Sequence, residues 1–327
     1  MKNTRFCSRR FFLRTGLGAL GALALGRRKA FGAGAGGGAE SPLGGLTAYQ
    51  DGPQIWVRWN NRLVASYRAH ASQKYPYMYP LAGPVTGRSV TAETALPWPH
   101  HRSLWFACDR VNGHNFWQEG IEKGQILSTN LQLVKTEGDL VEMTDRCEWR
   151  RPGGPLVMQD QRWIRLKRAG DDVWCVDWHI EWTAVQDVRI EKTNHSLFAL
   201  RSAPDLAPVE EGHLMNAEGL SGEKATFGVR SRWCVLTRGQ LASSHGPAES
   251  VVLMDHADNP WSPCPWFTRD YGFVSPTPFN FIERPWELAG GRSVSLRYRV
   301  LACAGDTGLQ RLEGFYRDWL KETRTTK

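Results

Sequence analysis

The sequence lacks the short motifs that identify several large enzyme classes. It contains no phosphate-binding loop, no HExxH zinc helix and no GxSxG nucleophile turn. It also has no CxxC pair, so a zinc ribbon or a thioredoxin-like redox site is not predicted. Beyond residue 35, no apolar run approaches the roughly 20 residues that a membrane-spanning helix needs. We therefore predict no integral membrane segment in residues 36–327.

Cysteine is scarce and scattered. Cys7 lies near the N-terminus, and no two of the other six have the short spacing of a metal or redox motif. Those six are Cys108, Cys147, Cys175, Cys234, Cys264 and Cys303. An oxidising compartment would permit disulfides, but single dispersed thiols are typical of small buried apolar residues. Buried free thiols are the favoured interpretation.

The first 35 residues have the composition of an export signal. The stretch Ser8–Arg14 reads SRRFFLR, a close match to the twin-arginine signal, and an apolar, glycine-rich run follows over Thr15–Gly26. Residues 33–35 (AGA) are typical of a cleavage site. We predict a twin-arginine signal over residues 1–35 and a periplasmic or secreted protein, with a retained membrane anchor as the alternative.

The net charge of the chain comes from this N-terminal segment. The whole sequence has 41 Lys and Arg against 33 Asp and Glu, a formal charge of +8. Residues 1–35 contain eight of the basic residues and no acidic one, so 33 of each sign remain. A neutral chain has no electrostatic reason to bind a polyanion. We predict no nucleic-acid partner.

Residues 46–327 are predicted to form one β-sandwich domain after a glycine-rich linker at 36–45. Two alternating runs, 54–59 and 62–67, flank the dipeptide Asn60-Asn61, which is the pattern of a hairpin. Further alternating runs separated by glycine-containing turns span residues 140–149, 157–167 and 293–303. This spacing indicates strands joined by short turns.

Residues 173–182 are the clearest predicted strand. Apolar side chains at alternate positions over Trp174–Trp182 share one face, while Asp177 and His179 lie on the other and are expected to face solvent. A strand with one packed face favours two antiparallel sheets face to face. Apolar residues over Leu309–Leu320 recur at helical spacing. The predicted fold class is all-β, with two large sheets and a C-terminal helix that docks on the core.

Polar clusters lie in the predicted loops, where sites on a sandwich are usually built. They span residues 97–105, 191–201, 216–224, 254–260 and 265–272. The run from His100-His101-Arg102 to Gly113, with the last three clusters, resembles an exported family labelled "methane oxygenase PmoA". This resemblance covers roughly Leu46 to the end of the sequence. It implies a metal-dependent oxygenase, which we rank as the lesser alternative because no histidine set has the spacing of a copper site.

A second resemblance concerns sugar chemistry. Residues 193–198 (TNHSLF) resemble the NHSYFNL strand of the galactose mutarotases (aldose 1-epimerases), and His100-His101 and the turn at 286–293 are similar to other segments of that family. The resemblance implies a galactose mutarotase-like β-supersandwich with a sugar on its concave face and His195 as the proton donor. Residues 273–278 lack the glutamate base of that family. Hydrolysis or elimination is therefore favoured over epimerisation.

Imidazoles and carboxylates in these loops are suited to proton transfer near neutral pH. The predicted catalytic residues are His195, His101, Glu218, Asp255 and His256. The predicted substrate-binding residues are Asn194, Arg102, Arg269, Tyr271 and Asn216. If a base is needed, Glu218, Asp255 or Glu283 would supply it, or an imidazole would.

Two of these assignments have structural alternatives. Asp255-His256 is an acid–base pair, two metal ligands or an Asx-type turn. Arg269 and Tyr271 bind a carboxylate or sugar hydroxyls, or Arg269 forms an internal ion pair with Asp270 or Glu218. Together the residues predict an exported carbohydrate-active enzyme with a small sugar ligand, and a non-catalytic sugar-binding protein is the alternative. No cofactor is required by the sequence, and a divalent metal stays open.

Overall fold

A computed structural model of the chain describes residues 45–93, 96–239, 248–305 and 307–325. The predicted export signal and all but the last residue of the predicted linker lie outside these ranges. In chain order, the described strands are β1 (Leu46–Asp51), β2 (Gln54–Trp59), β3 (Arg62–Arg68), β4 (Tyr77–Leu81), β5 (Leu104–Cys108), β6 (Gln125–Ser128), β7 (Gln132–Lys135), β8 (Glu137–Gly138), β9 (Leu140–Arg150), β10 (Leu156–Arg168), β11 (Val173–Ala184), β12 (Val188–Ile190), β13 (Ser196–Arg201), β14 (His213–Asn216), β15 (Arg230–Ser231), β16 (Trp233–Thr237), β17 (Glu249–Asp255), β18 (Cys264–Arg269), β19 (Phe273–Pro276), β20 (Trp286–Leu288) and β21 (Ser293–Ala304). The α-helices are α1 (Glu223–Thr226) and α2 (Leu309–Thr325), and 3₁₀ turns lie at Ile121–Lys123, Pro204–Leu206, Pro208–Glu210 and Pro278–Asn280.

The strands form two large antiparallel sheets. The ten-stranded sheet has the order β15-β18-β19-β13-β5-β4-β3-β2-β1-β8. The nine-stranded sheet has the order β14-β16-β17-β21-β11-β10-β9-β6, with β7 also paired to β9, and β12 and β20 form a separate ribbon. Every pairing between described strands is antiparallel. The prediction of an all-β fold with two large sheets and a C-terminal helix is confirmed.

The hairpin predicted around Asn60-Asn61 is present as β2 and β3. Asn60 and Asn61 have φ angles of 46° and 63°, so both occupy the left-handed region. A two-residue turn of this kind needs positive φ at both positions, and asparagine tolerates it better than most residues. The turn therefore sets the register at this end of the ten-stranded sheet.

Aromatic side chains from both sheets fill the space between them. Trp178 on β11 meets Phe198 on β13 with 5.2 Å between ring centroids, and Phe198 stacks on Tyr298 of β21 at 4.9 Å. Trp182 on β11 meets Phe106 on β5 at 5.7 Å. Each such pair contributes about 0.5–1.5 kcal/mol beyond its area burial. The predicted apolar face of β11 is this interior face.

The opposite face of β11 is less exposed than predicted. Asp177 pairs with the guanidinium of Arg299 at 2.6 Å and is half-buried. His179 stacks on Trp163 of β10, with 4.9 Å between ring centroids, and is half-buried too. Both side chains lie on the outer face of the sheet, as predicted, but each is only partly exposed because cross-strand partners from β10 and β21 cover it.

Helix α2 covers part of this outer face of the nine-stranded sheet. Its side chains Leu312, Tyr316 and Trp319 are buried in a second apolar cluster with Val173. Leu309 was predicted to join this stripe but is 41% exposed, since it lies in the first turn, at the end of the contact. No helix in the described part of the chain is long and apolar enough to cross a membrane.

All six cysteines in the described ranges are buried and unpaired, as predicted. Burial raises the pKa of each thiol above its usual value. A buried thiol with a raised pKa is rarely a thiolate, and the thiolate is the reactive form. These cysteines therefore act as small apolar side chains.

A charged network is buried within the sandwich. The side chains of Arg162 and Asp160 are fully buried, and Asp160 accepts hydrogen bonds from Arg162 Nε at 2.6 Å and from Trp149 Nε1 at 2.6 Å. The Tyr67 hydroxyl donates to Asp145 at 2.7 Å and accepts from Arg162 Nη1 at 3.3 Å. Tyr67 belongs to one sheet and the other four residues to the second sheet, so the network links the two.

We expect Asp160→Ala to lower the free energy of unfolding by about 3–5 kcal/mol, because it leaves the buried Arg162 charge without its partner. Urea denaturation monitored by tryptophan fluorescence measures this. The matched control is Glu142→Ala, which breaks the exposed Glu142–Arg165 pair of 2.9 Å and should cost about 0–1 kcal/mol. Equal losses in the two variants would contradict the stated role of the buried pair.

Candidate functional site

The candidate site lies on the face of the ten-stranded sheet that points away from the nine-stranded sheet. On β5, Phe106 packs against Trp149 of the second sheet with 5.8 Å between ring centroids. Its neighbour Trp105 points the other way because strand side chains alternate. There Trp105 stacks on Tyr75 at 6.1 Å and meets Trp117 at 5.2 Å. These rings form the base of the site.

A cavity of about 250 Å³ lies above this aromatic base. It is lined by Trp98, His100, His101, Gln118, Asn194, His195, Phe267, Arg269, Tyr271 and Phe273. Five of the predicted site residues, His101, Asn194, His195, Arg269 and Tyr271, meet here. Three of the predicted polar clusters thus converge on one cavity, although they are spread over residues 97–272 of the chain.

The loop before β5 presents two imidazoles to the cavity. The backbone N–H of His101 donates to the Trp98 carbonyl at 3.0 Å, and the Tyr75 hydroxyl donates to the His100 carbonyl. The His101 ring stacks on Phe273 with 4.8 Å between centroids. Both histidines are buried. The loop therefore holds both rings in fixed positions.

The buried histidines are uncharged at neutral pH. Burial lowers the pKa of His100 to about 4 and that of His101 to about 2, and for each the positive charge of neighbouring basic groups adds to the shift. Among the described residues, His101 Nδ1 has no hydrogen-bond partner. A neutral imidazole both donates and accepts hydrogen bonds. These rings are thus suited to contacts with ligand hydroxyl groups.

His195 lies at the cavity beside a carboxylate. Its Nδ1 is 3.9 Å from Asp109 Oδ2, and the Asp109 N–H donates to the His195 carbonyl at 2.8 Å. The ring stacks on Trp117 at 5.5 Å and meets His100 at 5.8 Å. Asp109 directly follows β5 and His195 directly precedes β13, so the antiparallel pairing of these strands brings the two together.

Asp109 lies within the segment from His100 to Gly113 that carries the first resemblance, but no role was predicted for it. Its position directly after a strand was the available signal. That signal was not decisive because the pairing partner of β5 is unknown without the tertiary structure. Trp98 and Gln118 line the cavity too and were not predicted as site residues.

Arg269 combines a cavity position with an internal ion pair. Its Nη1 lies 3.1 Å from Glu223 Oε1, and its guanidinium carbon is 3.9 Å from the Phe267 ring centroid. The Glu223 carboxylate also accepts from the backbone N–H of Asp270 at 3.0 Å. An internal ion pair was one of the predicted alternatives, but its partner is Glu223 instead of Asp270 or Glu218.

Five predicted residues lie outside the lining of the cavity, and three of them are Asn216, Glu218 and Arg102. Asn216 is buried at the end of β14, where its Oδ1 accepts from the N–H groups of Glu218 at 3.1 Å and Leu220 at 2.9 Å. This is an Asx-type turn, and Glu218 itself is exposed. Arg102 pairs with Glu119 at 3.1 Å. None of the three contributes to the cavity lining.

Asp255 and His256 lie at the end of β17, beside helix α2. Asp255 is buried and accepts from Asn259 Nδ2 at 2.6 Å, and burial raises the pKa of its carboxyl to about 7. His256 meets Trp319 edge-on at 4.7 Å, and its Nε2 is 2.8 Å from Thr323 Oγ1. These contacts favour the structural alternative, in which the pair orders the loop and holds α2.

Residues 54–317 match the family of unknown function DUF6807. The chain belongs to this family. No curated protein matches the chain significantly. Among solved structures, a candidate kojibiose phosphorylase from the human microbiome aligns with a TM-score of 0.35 and 9% identity, over 80% of this chain and 32% of that one. The chain thus spans about a third of that protein, and a likeness this low carries no functional argument. The two resemblances noted in the sequence stay predictions.

The imidazoles of this DUF6807 member pack against one another edge-on. His100 meets His101 at 4.7 Å and His195 at 5.8 Å, with interplanar angles of 86° and 82°. Across the described residues, no group of three His, Cys, Asp or Glu side chains has the arrangement of a metal site. The divalent metal left open by the sequence therefore gains no assigned ligands.

We expect the buried imidazoles to make stability depend on pH. Unfolded histidine has a pKa near 6.5, so a folded-state pKa of about 2 for His101 means that unfolding takes up a proton below that pH. The stabilisation that comes from the neutral His101 ring is fully present above pH 6.5, and the free energy of unfolding falls by about 1.4 kcal/mol per pH unit below it. In the His101→Gln variant, the free energy of unfolding should therefore decline less steeply between pH 6.5 and 4.5 than in the wild type.

Urea denaturation of the wild type and of His101→Gln at several pH values measures how the free energy of unfolding declines. Tyr271→Phe is the control, because it alters the same cavity without removing an imidazole, and its decline should parallel that of the wild type. Identical declines for His101→Gln and wild type would show that His101 is not buried in its neutral form.

Proposed function

We propose that this protein is an exported carbohydrate-active enzyme that binds a sugar in the 250 Å³ cavity and uses His195 for proton transfer. The observation that carries the proposal is the meeting of His195, which has Asp109 beside it, with two neutral imidazoles and several aromatic rings in one cavity. Twin-arginine export, which the N-terminal sequence predicts, belongs to the same proposal.

The lining suits a sugar ring. Trp98 is 41% exposed and lies 6.3 Å from Tyr271, ring centroid to ring centroid, so apolar ring faces border the cavity. Such faces pack against the C–H groups of a sugar, and polar groups at the same cavity fix its hydroxyls. Asn194 and Gln118 supply amide groups for that purpose. The volume is below the roughly 300–1,000 Å³ of drug-sized ligand sites, which favours a single sugar unit.

The lining also bears on the type of reaction. Glycoside hydrolysis commonly uses two carboxylates on either side of the scissile bond, and no Asp or Glu is among the described lining residues. Proton abstraction by an imidazole is better supported. In an elimination, His195 would take a proton from a ring carbon next to a carbonyl group. The C–H electron pair then forms a C=C bond, the glycosidic C–O bond breaks, and the departing oxygen takes a proton from solvent.

Asp109 is proposed to orient His195. At 3.9 Å the Oδ2–Nδ1 distance exceeds a hydrogen bond, and catalytic contacts are often long until a ligand binds. A carboxylate at this position favours the Nδ1–H tautomer and stabilises the imidazolium that forms. Nε2 is then the nitrogen that accepts the substrate proton.

The long His195–Asp109 distance also supports a second candidate, a sugar-binding protein without turnover. Product analysis by mass spectrometry on a panel of glycosides and 3-keto-glycosides separates the two. We expect His195→Ala to lower kcat by about 10²–10⁴-fold with nearly unchanged ligand affinity. Glu218→Gln, in an exposed turn outside the cavity, is the control and should keep full activity.

The possible outcomes of this experiment distinguish the enzyme from the alternatives. Sugar binding without turnover by the wild type would establish the binding protein. No binding of any sugar, measured by calorimetry, would overturn the proposal. The oxygenase alternative requires stoichiometric copper, so elemental analysis of the purified protein that finds none would remove it.

A further inference from the structure

Arg201 is a buried cation next to the cavity. It is the last residue of β13, is 6% exposed, and its guanidinium carbon lies 4.6 Å from the ring centroid of Tyr271. Within the described residues, its Nε and Nη1 atoms have no hydrogen-bond partner. Leaving buried donors of a charged group unpaired is costly. The arrangement therefore calls for an explanation.

The other buried arginines of the described chain each form an ion pair with a carboxylate, which Arg201 lacks. Arg162 pairs with Asp160 at 2.6 Å, Arg238 with Glu249 at 2.9 Å and Arg299 with Asp177 at 2.6 Å. Arg201 forms no such pair with any described carboxylate, and burial lowers its pKa while only Tyr271 acts in the opposite direction. Buried charges are normally paired. Arg201 is thus the exception among four buried guanidinium groups.

The strand register places Arg201 on the face that carries the cavity. Arg201 is directly opposite Phe273 on β19, and Phe273 is directly opposite Arg269 on β18. Directly opposed residues project from the same face of a sheet. Phe273 and Arg269 both line the cavity. Two guanidinium groups therefore flank Phe273 in one row on this face, Arg269 in the cavity lining and Arg201 next to it, under Tyr271.

Arg201 is the positive charge at this site that lacks a described counter-ion. No acidic side chain is among the described lining residues, the Arg269 charge is paired with Glu223 at 3.1 Å, and Asp109 lies beside His195. Arginine presents a planar set of donors that matches a carboxylate in a two-bond geometry. A ligand carboxylate beside Arg201 would supply the missing counter-charge.

We infer that the sugar bound in this cavity is a uronate, whose carboxylate pairs with Arg201 in the row formed by Arg201, Phe273 and Arg269. This inference rests on the proposed sugar site and names its substrate class. It fits the proposed elimination as well. A carboxylate paired with a guanidinium withdraws electrons from the adjacent ring carbon, and the proton on that carbon is the one that His195 would remove.

Calorimetric titration of the purified protein tests the inference. The probes are glucuronate and galacturonate, their neutral counterparts glucose and galactose, and glucose 6-phosphate as a non-carboxylate anion. We expect at least one uronate to bind the wild type at least 10-fold more tightly than its neutral counterpart. Arg201→Gln should abolish that preference, while affinity for the neutral sugar stays the same. Arg165→Gln, on the outer face of the other sheet, is the control and should keep the preference.

Thermal unfolding distinguishes a specific loss of binding from a loss caused by misfolding. If the counter-charge of Arg201 comes from the ligand, Arg201→Gln removes an uncompensated buried charge from the free protein. The Tm of the variant should then equal or exceed that of the wild type. The uronate should raise the Tm of the wild type and leave that of Arg201→Gln unchanged. A large fall in Tm on substitution would instead identify Arg201 as a structural residue and overturn the inference.

The outcomes distinguish this inference from the proposed function. Equal binding of uronates and neutral sugars, or a preference for glucose 6-phosphate, would overturn the uronate assignment and leave the sugar site in place. Failure of all five probes to bind would count against the sugar site itself.

Discussion

The packing of aromatic rings between the two sheets is the constraint on which the rest of the structure depends. Because Phe106 and Phe198 are held inward against tryptophans of the nine-stranded sheet, their strand neighbours must point outward. Trp105 and the residues at the ends of β5 and β13 thereby reach the outer face of the ten-stranded sheet. The interior core thus determines where the candidate site can form.

Buried arginine side chains have carboxylate partners in the interior but not at the site. Inside the sandwich, Arg162 is matched by Asp160, and the adjoining hydroxyl and indole donors are satisfied as well. At the site, His101 Nδ1 and two guanidinium nitrogens of Arg201 lack partners among the described atoms. Unsatisfied buried polar groups are costly, and a bound ligand would complete the bonding of those at the site. This contrast is the physical basis for placing a polar, anionic ligand at that cavity.

The local patterns of the sequence were sufficient for much of the fold. Alternation over 173–182 and 293–303 predicted strands that are present with nearly the same bounds, and the Asn60-Asn61 turn was identified by its chemistry. Side-chain exposure on the outer face of β11 was not predictable. His179 is covered by Trp163 from β10, and a single strand does not reveal which neighbour stands beside it.

For the site, the sequence by itself determined the kinds of groups and several of their positions. The vicinal histidines, Asn194-His195 and the Arg269–Tyr271 stretch were recognisable because imidazole, amide and guanidinium groups cluster in loops between strands. Only the tertiary structure decided which clusters meet, placing Asp255 and His256 under α2 and Asp109 beside His195. The same holds for Arg201, an ordinary strand residue in the sequence. Its importance depends on cross-strand register and on an absent counter-charge, and both are properties of strands brought together from distant parts of the chain.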